Sequence, residues 1–268
     1  MARPAVTVAI RAARAAGSVI LRYMNRLDSV AVIEKHHLDF VSQVDREAEA
    51  MIVRELRRAY PDHGFLGEET GASGKVGARF TWAIDPLDGT HNYLRGIPQF
   101  AVSIAQLEQG EPVHAVILDP LRNEIFTASK GDGAFLNDRR IRVSKRESLD
   151  GAMLATGFPY RERRHLDAQL GMTREVLKRA EDIRRAGSAA LDLAWTAAGR
   201  LDGYFETGLK IWDMAAGCLL VREAGGRYCN MAGQDGLPES GNIVAGNHVV
   251  ATQIVEAIAP VLTSELKN

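Results

Sequence analysis

A short apolar stretch that ends in two aspartates is the feature that most constrains the fold of this 268-residue chain. Residues 80–84 are apolar and rich in β-favouring side chains, which predicts a buried strand. Asp85 and Asp88 follow, with Pro86 between them. Proline favours an extended conformation at the preceding residue, so we expect the strand to end there. The stretch predicts a strand end that carries two carboxylates, although Asp, Pro and Gly also form ordinary turns.

The residues around the two aspartates suit a metal ion and a phosphate. After the turn, Asp88 can return to the side of Asp85, and the Leu87 carbonyl can point at the same ligand. Gly89 lacks a Cβ, so an anion can approach its backbone, and Thr90 adds a hydroxyl and an N–H group. Oxygen ligands of this kind suit Mg²⁺, which also bridges to substrate phosphate. The stretch therefore predicts a Mg²⁺ and phosphate site.

Further acidic residues lie outside this stretch. Glu68 and Glu69 lie in a glycine-flanked loop, Asp213 begins a predicted helix, and Asp45 immediately precedes another helix. Each aspartate can be a plain helix N-cap, and the two glutamates can belong to a solvated loop. Together with the two aspartates of the first stretch, however, Glu68 and Asp213 predict a cluster of four carboxylates.

Such a cluster is stable only under one condition. Two unit charges about 4 Å apart repel by about 4 kcal/mol at an effective dielectric constant of about 20. Four carboxylates in one pocket therefore require protons or divalent cations to neutralise them. The sequence predicts a site for two or more Mg²⁺.

Composition narrows the functions of the chain. The 33 Lys and Arg against 34 Asp and Glu give a net charge of −1, which offers no overall attraction to nucleic acid or membranes. We recognise no apolar run near the length of a membrane span and expect a cytoplasmic protein. Cys218 and Cys229 lack metal or redox spacing and are expected to be reduced, buried thiols. The glycine-rich residues 67–77 fail the P-loop pattern, because Val76 stands where Ser or Thr is required.

The predicted elements divide the chain into two halves of an α+β protein. In the first half, helices are predicted at 4–25 and 46–60, with an irregular polar segment at 28–44 and a loop at 67–77. Strands are then predicted at 80–84, 100–107, 113–118 and 124–129, which indicates an antiparallel meander.

The second half alternates strands and helices, which indicates an α/β arrangement. Strands are predicted at 150–155, 182–185, 203–206, 227–230 and 243–245, and helices at 164–179, 188–198, 213–224 and 249–266. No low-complexity linker separates the halves. We therefore expect residues 1–145 and 146–268 to pack tightly together.

Three blocks of this sequence resemble the signature motifs of the inositol monophosphatase family. They are Gly67-Glu-Glu69, Trp82 to Thr90, and Trp212-Asp-Met-Ala-Ala-Gly217; the stretches 39–45 and 184–192 agree as well. The resemblance covers essentially the whole chain and is closest to the bacterial inositol-1-monophosphatase branch. It implies a layered αβαβα sandwich of the inositol monophosphatase and fructose-bisphosphatase type. It also implies a homodimer, lithium inhibition, and two or three Mg²⁺ per active site.

The resemblance also assigns roles to individual residues. It implies that the metal ligands are Glu68, Asp85, the Leu87 carbonyl, Asp88 and Asp213. It implies that Thr90 and Glu68 orient the attacking water, with Asp45 hydrogen-bonded behind Thr90. The implied substrate contacts are Leu87, Asp88, Gly89, Thr90, Arg184, Gly187, Ser188, Ala189, Glu206 and Asp213. Lys35 matches a basic residue of a mobile loop near the site, and His91 departs from the small or polar residue usual in the family.

The implied activity is Mg²⁺-dependent hydrolysis of inositol 1-phosphate and related polyol phosphates. Fructose-bisphosphatase, bisphosphate nucleotidase, NADP phosphatase and histidinol phosphatase share the metal core and stay open as alternatives; Glu206 and residues 184–189 favour a polyol phosphate.

A different class of function is binding to the transcription machinery, which some bacterial members of the family perform. Three basic groups are candidates for such a surface, although each can equally be a solvated face. They are Arg54, Arg57 and Arg58; Arg139, Arg140 and Arg142; and Arg161, Arg163 and Arg164. Neither membrane binding nor direct nucleic-acid binding is expected.

Overall fold

A computed structural model describes residues 3–24, 26–27, 32–36, 39–159 and 163–267, with the backbone alone at 32–36 and 39–41. The helices are α1 (Pro4–Met24), α2 (Gln43–Ala59), α3 (Thr90–Leu94), α4 (Leu166–Leu177), α5 (Ala189–Ala197), α6 (Ile211–Glu223) and α7 (His248–Ile258). Short 3-10 turns lie at Arg163–His165, Ala259–Val261 and Ser264–Leu266.

The strands form three sheets. They are β1 (Val32–His36), β2 (Asp39–Ser42), β3 (Gly64–Gly67), β4 (Gly71–Gly74), β5 (Phe80–Asp88), β6 (Ala101–Glu108), β7 (Glu111–Asp119), β8 (Glu124–Ser129), β9 (Gly133–Leu136), β10 (Arg139–Arg140), β11 (Met153–Thr156), β12 (Asp182–Arg184), β13 (Gly203–Glu206), β14 (Arg227–Asn230) and β15 (Ile243–Gly246). β1 and β2 form a hairpin of their own, and the others form an eight-stranded and a five-stranded sheet.

The eight-stranded sheet contains the predicted meander and has the order β10-β9-β8-β7-β6-β5-β3-β4. All of its neighbouring strands are antiparallel except β3 and β5, which are parallel. α1 and α2 cover one face of this sheet and enclose a core with it. Small side chains such as Ala9, Ala12 and Ala16 are almost fully buried on α1, which allows close packing.

The five-stranded sheet has the order β12-β11-β13-β15-β14. Its strands are parallel across β12, β11 and β13 and antiparallel across β13, β15 and β14. α4 and α7 pack together and share a core with this sheet. Because the second half is mixed rather than purely parallel, the chain as a whole has the predicted α+β class.

α5 and α6 lie between the two sheets and complete the αβαβα layers. Every residue of α6 from Asp213 to Val221 is buried, as expected for a helix that is covered on all sides. Gly217 allows the two helices to approach, because a Cβ there would lie 2.4 Å from the Cβ of Leu193. The layered fold predicted from the resemblance is therefore confirmed; the division near residue 145 stays a prediction.

Several local predictions were wrong. β5 continues through Pro86 to Asp88 instead of ending at Asp85, because the pairing with β6 shifts register between Asp85 and Asp88 and accommodates the proline. The loop predicted at 67–77 contains β4, and the segment at 28–44 contains the β1–β2 hairpin. These strands are short, and glycines or charged residues hide their alternation.

The N-terminal helix has a further property. Within the described part of the chain, α1 alone is long and apolar enough to cross a membrane by length and composition, which the sequence analysis did not predict. Its buried side chains pack against α2 and the eight-stranded sheet. This packing is that of a core helix in a globular protein.

Candidate active site

The parallel pair β3 and β5 brings two acidic residues together. In their register, Gly67 lies opposite Ile84, and the Glu68 N–H donates to the Ile84 carbonyl over 3.1 Å. Parallel strands point in the same direction, so both chains leave the sheet at the same edge. Glu68, just after β3, is thereby placed beside Asp85.

The third acidic residue comes from α6. Asp213 lies in the first turn of this helix, where it accepts a hydrogen bond of 2.7 Å from the Lys210 N–H. Carboxylate oxygens of Glu68, Asp85 and Asp213 all lie within 4.8 Å of one another. Asp213 is therefore not the N-cap of α6, which is Lys210; it accepts the N-cap N–H from the third helical position and also belongs to the acidic cluster.

The electrostatics of the cluster favour a cation. Burial raises the pKa of Asp85 well above its ordinary value, and the nearby Glu68, Asp88 and Asp213 raise it further. Asp85 is 2% exposed, and its carboxylate accepts one hydrogen bond of 2.9 Å from the Leu87 N–H. An oxygen-only set of carboxylates around a buried Asp85 that resists ionisation fits Mg²⁺, whose charge would stabilise the ionised form.

Asp88 lies next to this cluster but has other partners. Its Oδ2 accepts hydrogen bonds from the Ser188 hydroxyl (2.5 Å) and the Ala190 N–H (2.8 Å), at the start of α5. Burial raises the pKa of Asp88 to about 6, although these hydrogen bonds act in the opposite direction. Asp88 therefore joins the eight-stranded sheet to α5.

Thr90 and Asp45 meet as the resemblance implies. The Thr90 hydroxyl lies 3.0 Å from Asp45 Oδ1 and 3.0 Å from the Leu87 carbonyl oxygen, and its single proton serves one acceptor at a time. Asp45 is not the N-cap of α2: Ser42 is, and its N–H and hydroxyl both donate to Asp45 Oδ2. Burial raises the pKa of Asp45, with the hydrogen bonds from Ser42 and Thr90 opposing it.

A cavity of about 810 Å³ extends from this acidic cluster. The predicted site residues that line it are Glu68, Asp85, Leu87, Asp88, Gly89, Thr90, Gly187, Ser188, Ala189, Glu206 and Asp213, and His91 lines it as well. Gly89 has φ +95°, and a Cβ there would lie 2.8 Å from the Gln99 carbonyl oxygen. Glycine is therefore required at this turn for two reasons, conformation and space.

The structure distinguishes two neighbouring arginines. The Arg184 guanidinium is paired with Asp182, and Arg184 is absent from the cavity lining, which includes Arg185 instead. A Cβ on Gly187 would lie 2.6 Å from Arg185 Nη1, so this guanidinium folds back over the Gly187 turn. The geometry thus favours Arg185 over Arg184 as an arginine that faces a substrate.

Glu206 lies on β13 of the five-stranded sheet and lines the same cavity, near enough to Asp88 to raise the pKa of that carboxyl. It accepts a hydrogen bond of 2.5 Å from the Tyr204 hydroxyl. A Cβ on Gly157 would lie 1.9 Å from Glu206 Oε1, so only glycine leaves room for this carboxylate. Glu206 is therefore held in a fixed position within the cavity wall.

Sequence analysis missed several residues that build the site. The Asn92 amide donates to the carbonyls of Gln99 (2.8 Å) and Ala186 (2.9 Å) and so fixes the turn before α5. Asp192 is 1% exposed, and burial raises its pKa well above the ordinary value, with Glu206 and Asp88 adding to the effect. Asn92 lies just after the stretch 82–90, and Asp192 is the last residue of the stretch 184–192. Neither residue has a sequence spacing that would indicate its role.

One predicted residue cannot be placed relative to the site. Lys35 lies in β1, and its side chain is outside the described part of the structure. The roles of the other site residues stay predictions. The fold brings them to one cavity except Arg184 and Asp45, and Asp45 contacts the site through Thr90.

The fold and the acidic site together define a class, the metal-dependent phosphatases with layered αβαβα architecture. The chain belongs to the inositol monophosphatase family, whose model matches residues 1–263. Nus factor SuhB of Xylella fastidiosa is 56% identical over 264 residues, which cover 96% of this chain and 95% of that protein.

Solved structures agree with this assignment. The crystal structure of extragenic suppressor protein suhB from Bartonella henselae superposes with a TM-score of 0.91 at 44% identity, covering 94% of this chain and 97% of that chain. Inositol monophosphatase from Anabaena (Nostoc) sp. PCC 7120 gives a TM-score of 0.86 at 36% identity, covering 96% of each chain. The same fold therefore occurs in a protein named suhB and in one named inositol monophosphatase.

Proposed function

We propose that the protein is a Mg²⁺-dependent phosphomonoesterase that hydrolyses inositol 1-phosphate and related polyol phosphates to the free alcohol and phosphate. One observation carries the proposal: carboxylates of Glu68, Asp85 and Asp213 converge within 4.8 Å in the wall of a cavity of about 810 Å³. The cavity is large enough for a polyol phosphate.

The residues of the acidic cluster would hold the metal. Glu68, Asp85, the Leu87 carbonyl, Asp88 and Asp213 are the proposed ligands of two or three Mg²⁺. Bound Mg²⁺ would lower the pKa of a water molecule and neutralise charge on the phosphate and the leaving oxygen.

The remaining residues would position the reactants. If Thr90 donates its proton to Asp45, the Thr90 oxygen can accept a hydrogen bond from the attacking water, and Glu68 can accept the other. The N–H groups of Gly89 and Thr90 would hold the phosphate, and Glu206 would accept hydrogen bonds from polyol hydroxyls. Phosphoryl transfer depends mainly on positioning and charge neutralisation, which this set of residues supplies.

The test is phosphate release from inositol 1-phosphate with and without Mg²⁺, beside fructose 1,6-bisphosphate and an adenosine bisphosphate. We expect Mg²⁺-dependent turnover with the highest kcat/KM for inositol 1-phosphate. A higher kcat/KM for either bisphosphate would instead identify a sister phosphatase. Turnover should also fall in a LiCl series, and insensitivity at high millimolar LiCl would instead place the enzyme with the lithium-resistant members of the family.

The proposed enzyme is a cytoplasmic homodimer. Sedimentation equilibrium of the purified protein, with a monomer of 29.3 kDa, tests the dimer.

A second proposed function is binding to the transcription machinery, alongside catalysis. The name Nus factor carried by the Xylella relative favours it. Arg54, Arg57 and Arg58 are exposed on α2. Arg163 and Arg164 are exposed in the 3-10 turn before α4. The third basic group, Arg139, Arg140 and Arg142, is exposed too, whereas Arg161 lies outside the described residues. Affinity purification with the host RNA polymerase tests this function, and no enrichment over a charge-matched control protein would remove it.

A further inference from the structure

Helix α2 presents two buried carboxylates to the active-site loops. Asp45 and Glu49 lie one helical turn apart and therefore on the same face, and they are 1% and 0% exposed. Asp45 holds Thr90, as described above. Glu49 has no part in the proposed reaction, yet a buried carboxylate is costly unless it is well hydrogen-bonded. The partners of Glu49 therefore show what it does.

Among the described residues, three hydrogen bonds reach Glu49, and all come from the two residues that follow Glu68. The Glu69 N–H donates to Oε2 over 2.8 Å, and the Thr70 N–H and hydroxyl donate to Oε1 over 3.0 and 2.5 Å. On the other side, the Glu68 N–H is bonded to the Ile84 carbonyl of β5. Glu68 thus lies between two anchors, one on the sheet and one on α2.

The close approach of Glu49 depends on a glycine. A Cβ on Gly67 would lie 2.4 Å from Glu49 Cδ and 2.5 Å from both carboxylate oxygens. Any larger residue at position 67 would push the carboxylate away from the loop. The glycine of the Gly67-Glu-Glu69 block therefore has a physical reason, which is to admit Glu49.

We propose that Glu49 is a positioning residue for Glu68. Its carboxylate fixes the backbone after Glu68 and so keeps the Glu68 carboxylate beside Asp85 and Asp213. The inference rests on the proposed function, in which Glu68 is a metal ligand. Groups that orient a metal ligand without touching the metal change metal affinity or activity by about 10- to 100-fold when they are removed.

The test is the variant Glu49→Gln, which keeps the size of the side chain but replaces one acceptor oxygen by an NH₂ group. Isothermal titration of metal-free protein with Mg²⁺ should show an affinity about tenfold or more weaker than that of the wild type. The Mg²⁺ concentration for half-maximal turnover should rise by a similar factor, while KM for inositol 1-phosphate at saturating Mg²⁺ stays near the wild-type value. Hydrogen exchange at the amides of residues 69 and 70 should accelerate.

Two further variants keep the test decisive. Glu55→Gln is the matched control, because it makes the same change on the same helix, where the carboxylate pairs with Arg11 at 3.0 Å; it should bind Mg²⁺ like the wild type. Thr70→Val removes one of the three donors and should give an intermediate loss. If Glu49→Gln does not fold, Thr70→Val takes its place, and unchanged Mg²⁺ affinity there overturns the proposal.

The outcomes separate this inference from the proposed function. A wild type that binds Mg²⁺ and hydrolyses inositol 1-phosphate, with a Glu49→Gln variant that binds Mg²⁺ equally well, overturns the positioning role. That result holds even if the variant has a lower melting temperature, since a purely structural role would lower stability alone. A wild type that neither binds Mg²⁺ nor hydrolyses phosphate esters overturns the proposed function instead.

Discussion

Two groups of residues line the cavity and are held in different ways: Glu68, Asp85 and Asp213, here called the metal end, and Glu206 and Arg185, here called the substrate end. At the metal end, Glu68 and Asp85 extend from adjacent parallel strands, and main-chain hydrogen bonds set their separation. At the substrate end, Glu206 packs against Gly157 and Arg185 packs against Gly187, and a Cβ on either glycine would collide with the side chain that it faces. The metal end is thus fixed by the backbone of the sheet, whereas the substrate end is fixed by side-chain packing.

The ends also differ in charge. The metal end collects carboxylates around Asp85, whose pKa is raised by burial and by the neighbouring Glu68, Asp88 and Asp213. The substrate end combines one carboxylate, Glu206, with a cation, Arg185. From this difference we infer that the metal end determines whether the reaction occurs and the substrate end determines which ester is accepted. Substitutions at the two ends should therefore affect kcat and KM differently.

The largest effect is expected for Asp85→Asn at the metal end. The amide keeps the shape of the side chain but removes a charge from the proposed metal ligands. Mg²⁺-dependent turnover should therefore fall by at least about 10²-fold. That is the scale of the loss when one group that stabilises a transition state is removed. Steady-state phosphate release at saturating Mg²⁺ measures it. The fold should persist, because the uncharged residue no longer repels its acidic neighbours.

The circular dichroism spectrum and the melting temperature of this variant serve as its control. Full turnover by a folded Asp85→Asn protein would refute the metal assignment and, with it, the distinction between the two ends.

A smaller effect is expected when metal is removed and the pH is varied. Asp88 has a pKa of about 6 in the folded protein against 3.8 ordinarily. Below about pH 4 it is protonated in both the folded and unfolded states and contributes nothing. Between about pH 4 and 6 the unfolded chain loses the proton first, so the folded state holds more protons and stability falls as the pH rises. Asp85 acts in the same direction.

Urea unfolding in EDTA at a series of pH values measures this loss, which is at most about 3 kcal/mol from Asp88. Saturating Mg²⁺ should restore most of it above pH 6, because the cation stabilises the ionised carboxylates. The variant Asp88→Asn should flatten the pH dependence. A metal-free protein equally stable at pH 4.5 and 7 would show that the acidic residues are not electrostatically strained.

The difference between the ends also explains what could be predicted from the sequence. Asp85, Asp88 and Glu68 lie in short, local blocks, and their chemistry requires carboxylates. Asn92 and Glu49 act through hydrogen bonds to backbone groups far along the chain, and no local pattern reveals such partners.

The same reasoning applies to the fold. The first two helices and the meander have strong periodicity and were predicted within a few residues. The last helix was predicted at 249–266, but α7 ends at Ile258 and two 3-10 turns follow it, the first with Pro260. The β1–β2 and β3–β4 hairpins are short strands paired by backbone hydrogen bonds, so their side chains carry little signal. Pro86 was wrongly expected to end β5 because a shift in register between neighbouring strands is invisible in one sequence.

The smallest effect, and the most direct test of the substrate end, compares Arg185→Ala with Arg184→Ala. Arg185 lines the cavity, whereas Arg184 pairs with Asp182 outside it. Losing a hydrogen bond from a charged group costs about 1.5–3 kcal/mol. Because Arg185 is exposed, we expect the smaller of these costs. The KM for inositol 1-phosphate should therefore rise about tenfold, with kcat nearly unchanged. Arg184→Ala should leave both constants within about twofold. The reverse order would show that the family position, rather than the cavity geometry, identifies the substrate-binding arginine.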